Sequence, residues 1–132
     1  MIIGDRVDKI EAEIKERKAH EGLKLNILIK GVREIEGGRL AFEYEYTTLY
    51  EGVGTIKISG EMYAEEDDKT RKRLLDNWKN GKKIEKDYME RLLNAINYSA
   101  TAHATLVARV LNYPPPMLPP RLGLRSRTEE KK

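Results

Sequence analysis

Apolar and polar residues alternate with a period of two over Leu23–Tyr63. Leu23, Leu25, Ile27 and Ile29 alternate with Lys24, Asn26, Leu28 and Lys30. Leu40, Phe42, Tyr44 and Tyr46 alternate with Ala41, Glu43, Glu45 and Thr47, and Ile56, Ile58, Gly60 and Met62 with Thr55, Lys57, Ser59 and Glu61. Side chains two apart on a strand share a face, so the pattern predicts three strands, each with one apolar and one largely polar face. Gly37-Gly38 and Gly52–Gly54 separate them and supply the positive-φ positions that tight hairpins need. The expectation is an antiparallel meander with Phe42, Tyr44, Ile56 and Ile58 on one face, and that face needs a cover.

The period then changes to that of a helix. Over Ile84–Leu111 one stripe runs through Ile84, Tyr88, Leu92, Ala95, Ser99, Ala102, Leu106 and Val110. A second, through Met89, Leu93, Ile96, Ala100, His103, Val107 and Leu111, lies beside it. So broad an apolar face predicts one stripe on the sheet and the other on another subunit, with Ala100, Ala104 and Ala108 as a smooth ridge for close approach. A shorter helix is predicted at about Lys69–Lys79, with Leu74, Leu75 and Trp78 as its apolar stripe and Asn80-Gly81 at its end. Glu65-Glu66-Asp67-Asp68 opens it, where carboxylates suit the helix dipole. Residues 5–20 fit two descriptions. Ile3, Val7, Ile10 and Ile14 recur at helical spacing behind Asp5 as a candidate N-cap, which slightly favours helix, yet Ile10, Ala12 and Ile14 also alternate with Glu11, Glu13 and Lys15 as in an edge strand.

Tyr113–Leu122 reads Y-P-P-P-M-L-P-P-R-L, which forbids helix or central strand and favours polyproline II. Pro116–Arg121 fits P-x-x-P-x-R, a pattern that some proline-reading domains accept. Residues 1–122 are expected to form a single α+β domain, a four-stranded antiparallel sheet packed against the long C-terminal helix, and 123–132 a charged flexible tail.

Composition narrows the function. The chain has 132 residues, 36% of them charged, with a formal net charge of +3. A pI near 9.0 permits attraction to nucleic acid or anionic lipid, but charge this balanced reads as a solvated surface. There is no cysteine, hence no disulfide, thiolate ligand or thiol nucleophile. His20 and His103 lie far apart, and no metal or cofactor is expected. No apolar run is long enough to span a membrane, and Met1-Ile2-Ile3 is followed at once by charges. A Lys/Glu-rich, cysteine-free chain suits a soluble, heat-tolerant cytoplasmic protein.

Motifs for chemistry are missing. There is no G-x-x-x-x-G-K-[ST], G-x-G-x-x-G opening a helix, G-x-S-x-G or H-E-x-x-H. Glu43 and Glu45 share a strand face as a solvated pair rather than an acid and base. The sheet tyrosines are not interleaved with Arg or Lys, as an RNA-stacking sheet requires. Enzyme activity is not expected.

The order of parts resembles the SecB-like family of bacterial export chaperones and archaeal SecB-like proteins. In that family a strand, a three-strand meander, a short helix, a long helix and a proline-containing tail follow one another. Leu25–Lys30 leading through Glu36-Gly37-Gly38 into Leu40–Thr48 is similar to the family's second and third strands, and Val53–Gly60 to its fourth. Ala102–Leu111 running into Asn112-Tyr113-Pro114-Pro115 and Leu118-Pro119-Pro120 resembles its helix exit. The resemblance covers about residues 7–122 and implies a strand over residues 7–17. It implies a holdase in protein export or transport that binds non-native polypeptide through an apolar groove without nucleotide.

Phe42, Tyr44, Tyr46, Met62, Met89, Met117 and Leu118 are the residue types such a peptide-binding groove uses, since aromatics and Met re-pack readily. A homo-oligomer, dimer or tetramer, is expected, with the long helix or edge strand 7–17 in the interface. The family is acidic and carries a cysteine-proline-asparagine stretch; this chain is basic and lacks it, so docking to the motor SecA does not carry over. The alternatives are a nucleic-acid-associated protein using Lys82-Lys83, Arg71-Lys72-Arg73 and Arg121/Arg125/Arg127 as phosphate contacts, and a structural assembly partner.

Overall fold

A computed structural model describes residues 1–116. Met117, Leu118, the rest of the proline-rich segment and the tail 123–132 lie outside the described residues. The elements follow in the order β1 (Ile2–Ile14), β2 (Leu23–Ile35), β3 (Arg39–Tyr50), β4 (Gly54–Glu65), α1 (Asp68–Lys79) and α2 (Lys86–Val110). All neighbouring strands are antiparallel, in the order β1-β4-β3-β2. The meander β2-β3-β4 is the one the alternation predicts. Gly37 and Gly38 (φ 80 and 73) turn the first hairpin and Gly52 (φ 82) the second.

Both helices cover one face of this sheet. Phe42, Tyr44, Tyr46, Ile56 and Ile58 point into that layer and are fully buried. Asp67 caps α1 by accepting from the Thr70 amide at 2.8 Å. Its carboxyl is held below the usual range by that Thr70 hydrogen bond. Arg73 donates to Glu85 at 2.8 Å, which ties α1 to the start of α2. Among the described residues no helix is long and apolar enough to cross a membrane.

Two expectations are corrected. The helical spacing of Ile3, Val7, Ile10 and Ile14 belongs to a strand. The β1–β4 register shifts between Ile2 and Gly4 and again between Val7 and Lys9. Each bulge inserts one residue, so Ile2, Asp5, Val7, Ile10, Ala12 and Ile14 fall opposite the helix-facing positions of β4. Spacings of three mixed with two imitate a helix. The second correction concerns α2. Its buried line is Tyr88, Leu92, Ile96, Ala100, Ala104 and Ala108. Steps of four drift about 40° around a helix, so this line crosses both predicted stripes and follows the twist of the sheet. The alanine ridge therefore packs on the chain's own sheet and is not open to another subunit.

Tyrosine tips fix where α2 lies. Tyr44 donates to Asp5 Oδ2 at 3.3 Å, and Ser99 of α2 donates to the same oxygen at 2.7 Å. The Tyr46 hydroxyl lies 3.2 Å from that of Thr101, and Tyr50 donates to the Pro114 carbonyl at 3.0 Å. Tyr88 donates to Glu66 at 2.7 Å, while its ring packs on Phe42 with centroids 5.7 Å apart. Burial, then the neighbouring Asp5, pushes the Tyr44 phenol up; burial, then Glu66, does the same for Tyr88; burial, then Tyr46, takes Tyr50 to about 12.

Two predictions follow from this packing. At Gly60 a Cβ would fall against the Arg6 carbonyl, because β1 bends across it beside the second bulge. Gly60→Ala is expected to destabilise by about 2 kcal/mol, read as a lower urea midpoint at unchanged m-value; an unchanged midpoint would refute the close approach. Raised phenol values favour the protonated native state. Their contribution is intact below the ordinary value of 10.0 and is lost as pH rises from there through the native values. Tyrosinate absorbance from Tyr44, Tyr50 and Tyr88 should therefore appear together with loss of circular dichroism above about pH 10. Ionisation of all seven tyrosines with the dichroism intact would contradict this packing.

Candidate functional site

The strand order leaves β1 and β2 as the two edges. Strand edges present unpaired N–H and C=O groups, and proteins commonly blunt them. β1 is blunted by two bulges and by exposed Arg6, Asp8, Lys9, Glu11 and Glu13. β2 is different. Leu23–Ile29 pairs with Tyr50–Tyr44 without a shift, and its bulge comes only between Ile29 and Gly31. Every second residue of that run turns its amide and carbonyl away from β3.

A groove of about 550 Å³ runs beside this regular edge, lined by Ile27, Leu28, Ile29 and Lys30 of β2, Trp78 of α1, Lys82, and Met89 and Leu93 of α2. Ile27 and Ile29 are half-buried on the helix side, while Leu28 is 49% exposed on the other. Trp78, the single tryptophan of the chain, is half-buried in the wall. Met89 and Leu93 sit one turn apart on the early part of α2, flanking the buried line through Tyr88 and Leu92.

The chain reaches Lys82 through a wrapped helix end. The Lys82 amide returns to the Trp78 carbonyl at 2.7 Å and the Lys83 amide to that of Asn77 at 3.4 Å. Lys82 takes φ 54, a left-handed conformation, although Gly81 stands next to it. Lys30 lies 3.7 Å from Glu45, whereas Lys82 has no ion-pair partner among the described residues.

Among the described residues no acidic side chain, hydroxyl or imidazole lines this groove. Its lining can bury apolar side chains, pair with backbone and attract anions, and it holds no acid–base pair. Among the described residues no three His, Cys, Asp or Glu side chains gather to hold a metal.

The residues nominated from sequence fall in three places. Phe42, Tyr44, Tyr46 and Met62 lie in the core between sheet and helices and offer no surface to a ligand. Their side of the sheet is the side α2 covers, so these side chains form the core itself. Met89 lies in the groove. Met117 and Leu118 lie outside the described residues. Of the phosphate-contact candidates, Arg71 is engaged by Glu34 and Asp68, and Arg73 by Glu85; Arg121, Arg125 and Arg127 lie outside the described residues. Leu28 and Trp78 were not among the nominated residues. The available signal was Leu28 itself, an apolar residue where the alternation of its strand asks for a polar one.

No protein-family model, no curated protein and no solved structure matches the chain.

Proposed function

We propose that this protein is a SecB-like holdase that keeps non-native polypeptide in the groove at the β2 edge, without nucleotide. The observation that carries the reading is an apolar groove running alongside a regular, unpaired strand edge. A client in extended conformation adds its backbone to β2, and its alternate side chains drop between Trp78, Met89 and Leu93. Each large side chain buried in this way contributes about 1.5–3 kcal/mol. Backbone pairing carries no sequence preference, and Met adapts to many shapes, so clients are broad in sequence. The element order of strand, three-strand meander, short helix and long helix matches the resemblance and supports the same reading. The proposed setting is the cytoplasm, in keeping with a cysteine-free, Lys/Glu-rich chain, and SecA is not among the proposed partners.

The proposal includes self-assembly. From Leu92 to Ala108 the helix contains no Asp, Glu, Lys or Arg, in a chain with 36% charged residues. Opposite the sheet, Tyr98, Leu106 and Val110 are 85%, 62% and 84% exposed, with Ala102 between them. An uncharged helix face suits an uncharged partner, and the same stripe on a second copy meets that need through a two-fold axis. The stripe occupies the later half of α2 and the groove the earlier half, so one leaves the other open.

Two measurements test these statements. A chemically unfolded client should stay in solution at equimolar to several-fold excess of this protein, in low and moderate salt alike, while Trp78 emission moves to the blue as the groove fills. Client aggregation at several-fold excess would overturn the holdase reading, and retardation of DNA or RNA with steep salt dependence would replace it with nucleic-acid binding. Light scattering at micromolar concentration should give a dimer or larger, and Leu106→Lys should raise its dissociation constant about tenfold or more. A monomeric parent protein would remove the assembly.

A further inference from the structure

Resting on the holdase reading of the same groove, we propose that it selects extended segments whose apolar residues are flanked by carboxylates. The two charged residues lining the groove, Lys30 and Lys82, are both cationic and come from the edge strand and from the α1–α2 connection. Lys79, the last residue of α1, and Lys83 of that connection are exposed. Among the described residues the groove lining has no acidic side chain to neutralise them. Lys30 lies 3.7 Å from Glu45 across partly exposed side chains, a pair that water weakens.

Lys82 carries the stronger indication. It occupies φ 54, where an L side chain crowds its own backbone and glycine does not. A glycine stands one residue earlier without taking the positive-φ position. Among the described residues the other left-handed non-glycine residue is Asn112, a type that tolerates the conformation through its short polar side chain. Lys82 is the left-handed residue of the wrapped α1 end, closed by the Lys82 amide on the Trp78 carbonyl and the Lys83 amide on that of Asn77. What points to an anionic ligand is its place in the lining of an apolar groove with no ion-pair partner among the described residues. An extended segment brings its side chains out about 3.3 Å apart along the chain. A large apolar residue in the groove therefore places carboxylates one or two positions away within reach of both lysines.

The test uses the full chain and three labelled peptides with one Leu/Phe core, flanked by Glu, Gln or Lys, read by fluorescence anisotropy. The Glu-flanked peptide should bind about three- to tenfold tighter than the Gln-flanked one, and the Lys-flanked peptide weakest. The order should collapse in about 0.5 M salt. Lys82→Gly should keep or raise the melting temperature while lowering affinity for the Glu-flanked peptide alone, and Lys82→Glu should reverse the ranking. Equal binding of all three peptides, or a ranking that Lys82→Gly and Lys82→Glu leave untouched, would overturn the charge selection and leave the holdase reading standing. Binding of none of them, with Trp78 emission unmoved, would overturn both.

Discussion

The fold depends on buried tyrosines whose hydroxyls all find partners. A phenol ring supplies a large apolar body, but its oxygen must be satisfied if it is taken out of water. Tyr44, Tyr46 and Tyr50 stand in a row on the helix-facing side of β3, and their tips reach Asp5 on β1, Thr101 on α2 and the carbonyl of Pro114 beyond it. Tyr88 reaches back from α2 to Glu66 between β4 and α1. Each hydrogen bond is worth about 1 kcal/mol, and an orphaned hydroxyl costs more than that. Together they fix α2 along β3, with Tyr88 over Phe42 at one end and Pro114 beside Tyr50 at the other. Ala100, Ala104 and Ala108 then follow from the space available, because a helix laid against tyrosines has room for small residues. Thr48 is the exception, its buried hydroxyl having no partner among the described residues.

The same constraint explains the first strand. Asp5 reaches Tyr44 and Ser99 because the bulge after Ile2 turns it to the helix side. A regular strand would have pointed Asp5 and Val7 to the open face; the second bulge brings Ile10, Ala12 and Ile14 back to the parity of Ile2. Here the sequence was illegible for a physical reason: bulges that serve tertiary contacts scramble the local period. Where no bulge intervenes, as in β3 and β4, alternation placed Leu40, Phe42, Tyr44, Tyr46, Ile56, Ile58 and Met62 on the core face. On α2 the pattern gave the helix but not its buried line, since which stripe faces inward depends on sheet twist. The groove was the least legible part. It exists because β2 is an edge, and strand order is a long-range property that no window of sequence carries.

The open face of the sheet shows how surfaces outside the groove are closed off. Glu61 is only 7% exposed although no helix covers it. Arg6 from β1 lies 3.3 Å away, Arg33 from β2 2.6 Å, and the Tyr63 hydroxyl donates at 3.1 Å. Arg33 reaches Glu61 across β3 at Ala41, its cross-strand neighbour, where a small side chain leaves the path open and is itself buried. Both arginines are largely solvated, so water screens each pair. Their consequence is geometric. They lay a charged strap over strands that would otherwise offer a flat face to another sheet.

A protein that captures sticky chains has to keep a sticky surface from capturing its own kind. On the holdase reading, the β2 edge meets this demand by charge. Two β2 edges brought together would set Lys24 and Lys30 of one copy near the lysines of the other, and Lys82 would add to the repulsion at each groove. Like charges directly opposite on paired strands are destabilising, and edge lysines act as guards against self-pairing. A foreign segment without that lysine pattern escapes the penalty, and one carrying carboxylates reverses its sign. The uncharged stripe of α2 has no such guard. On that reading, self-association and client capture fall to different halves of one helix, the first driven by apolar area alone and the second filtered by the lysines at the groove.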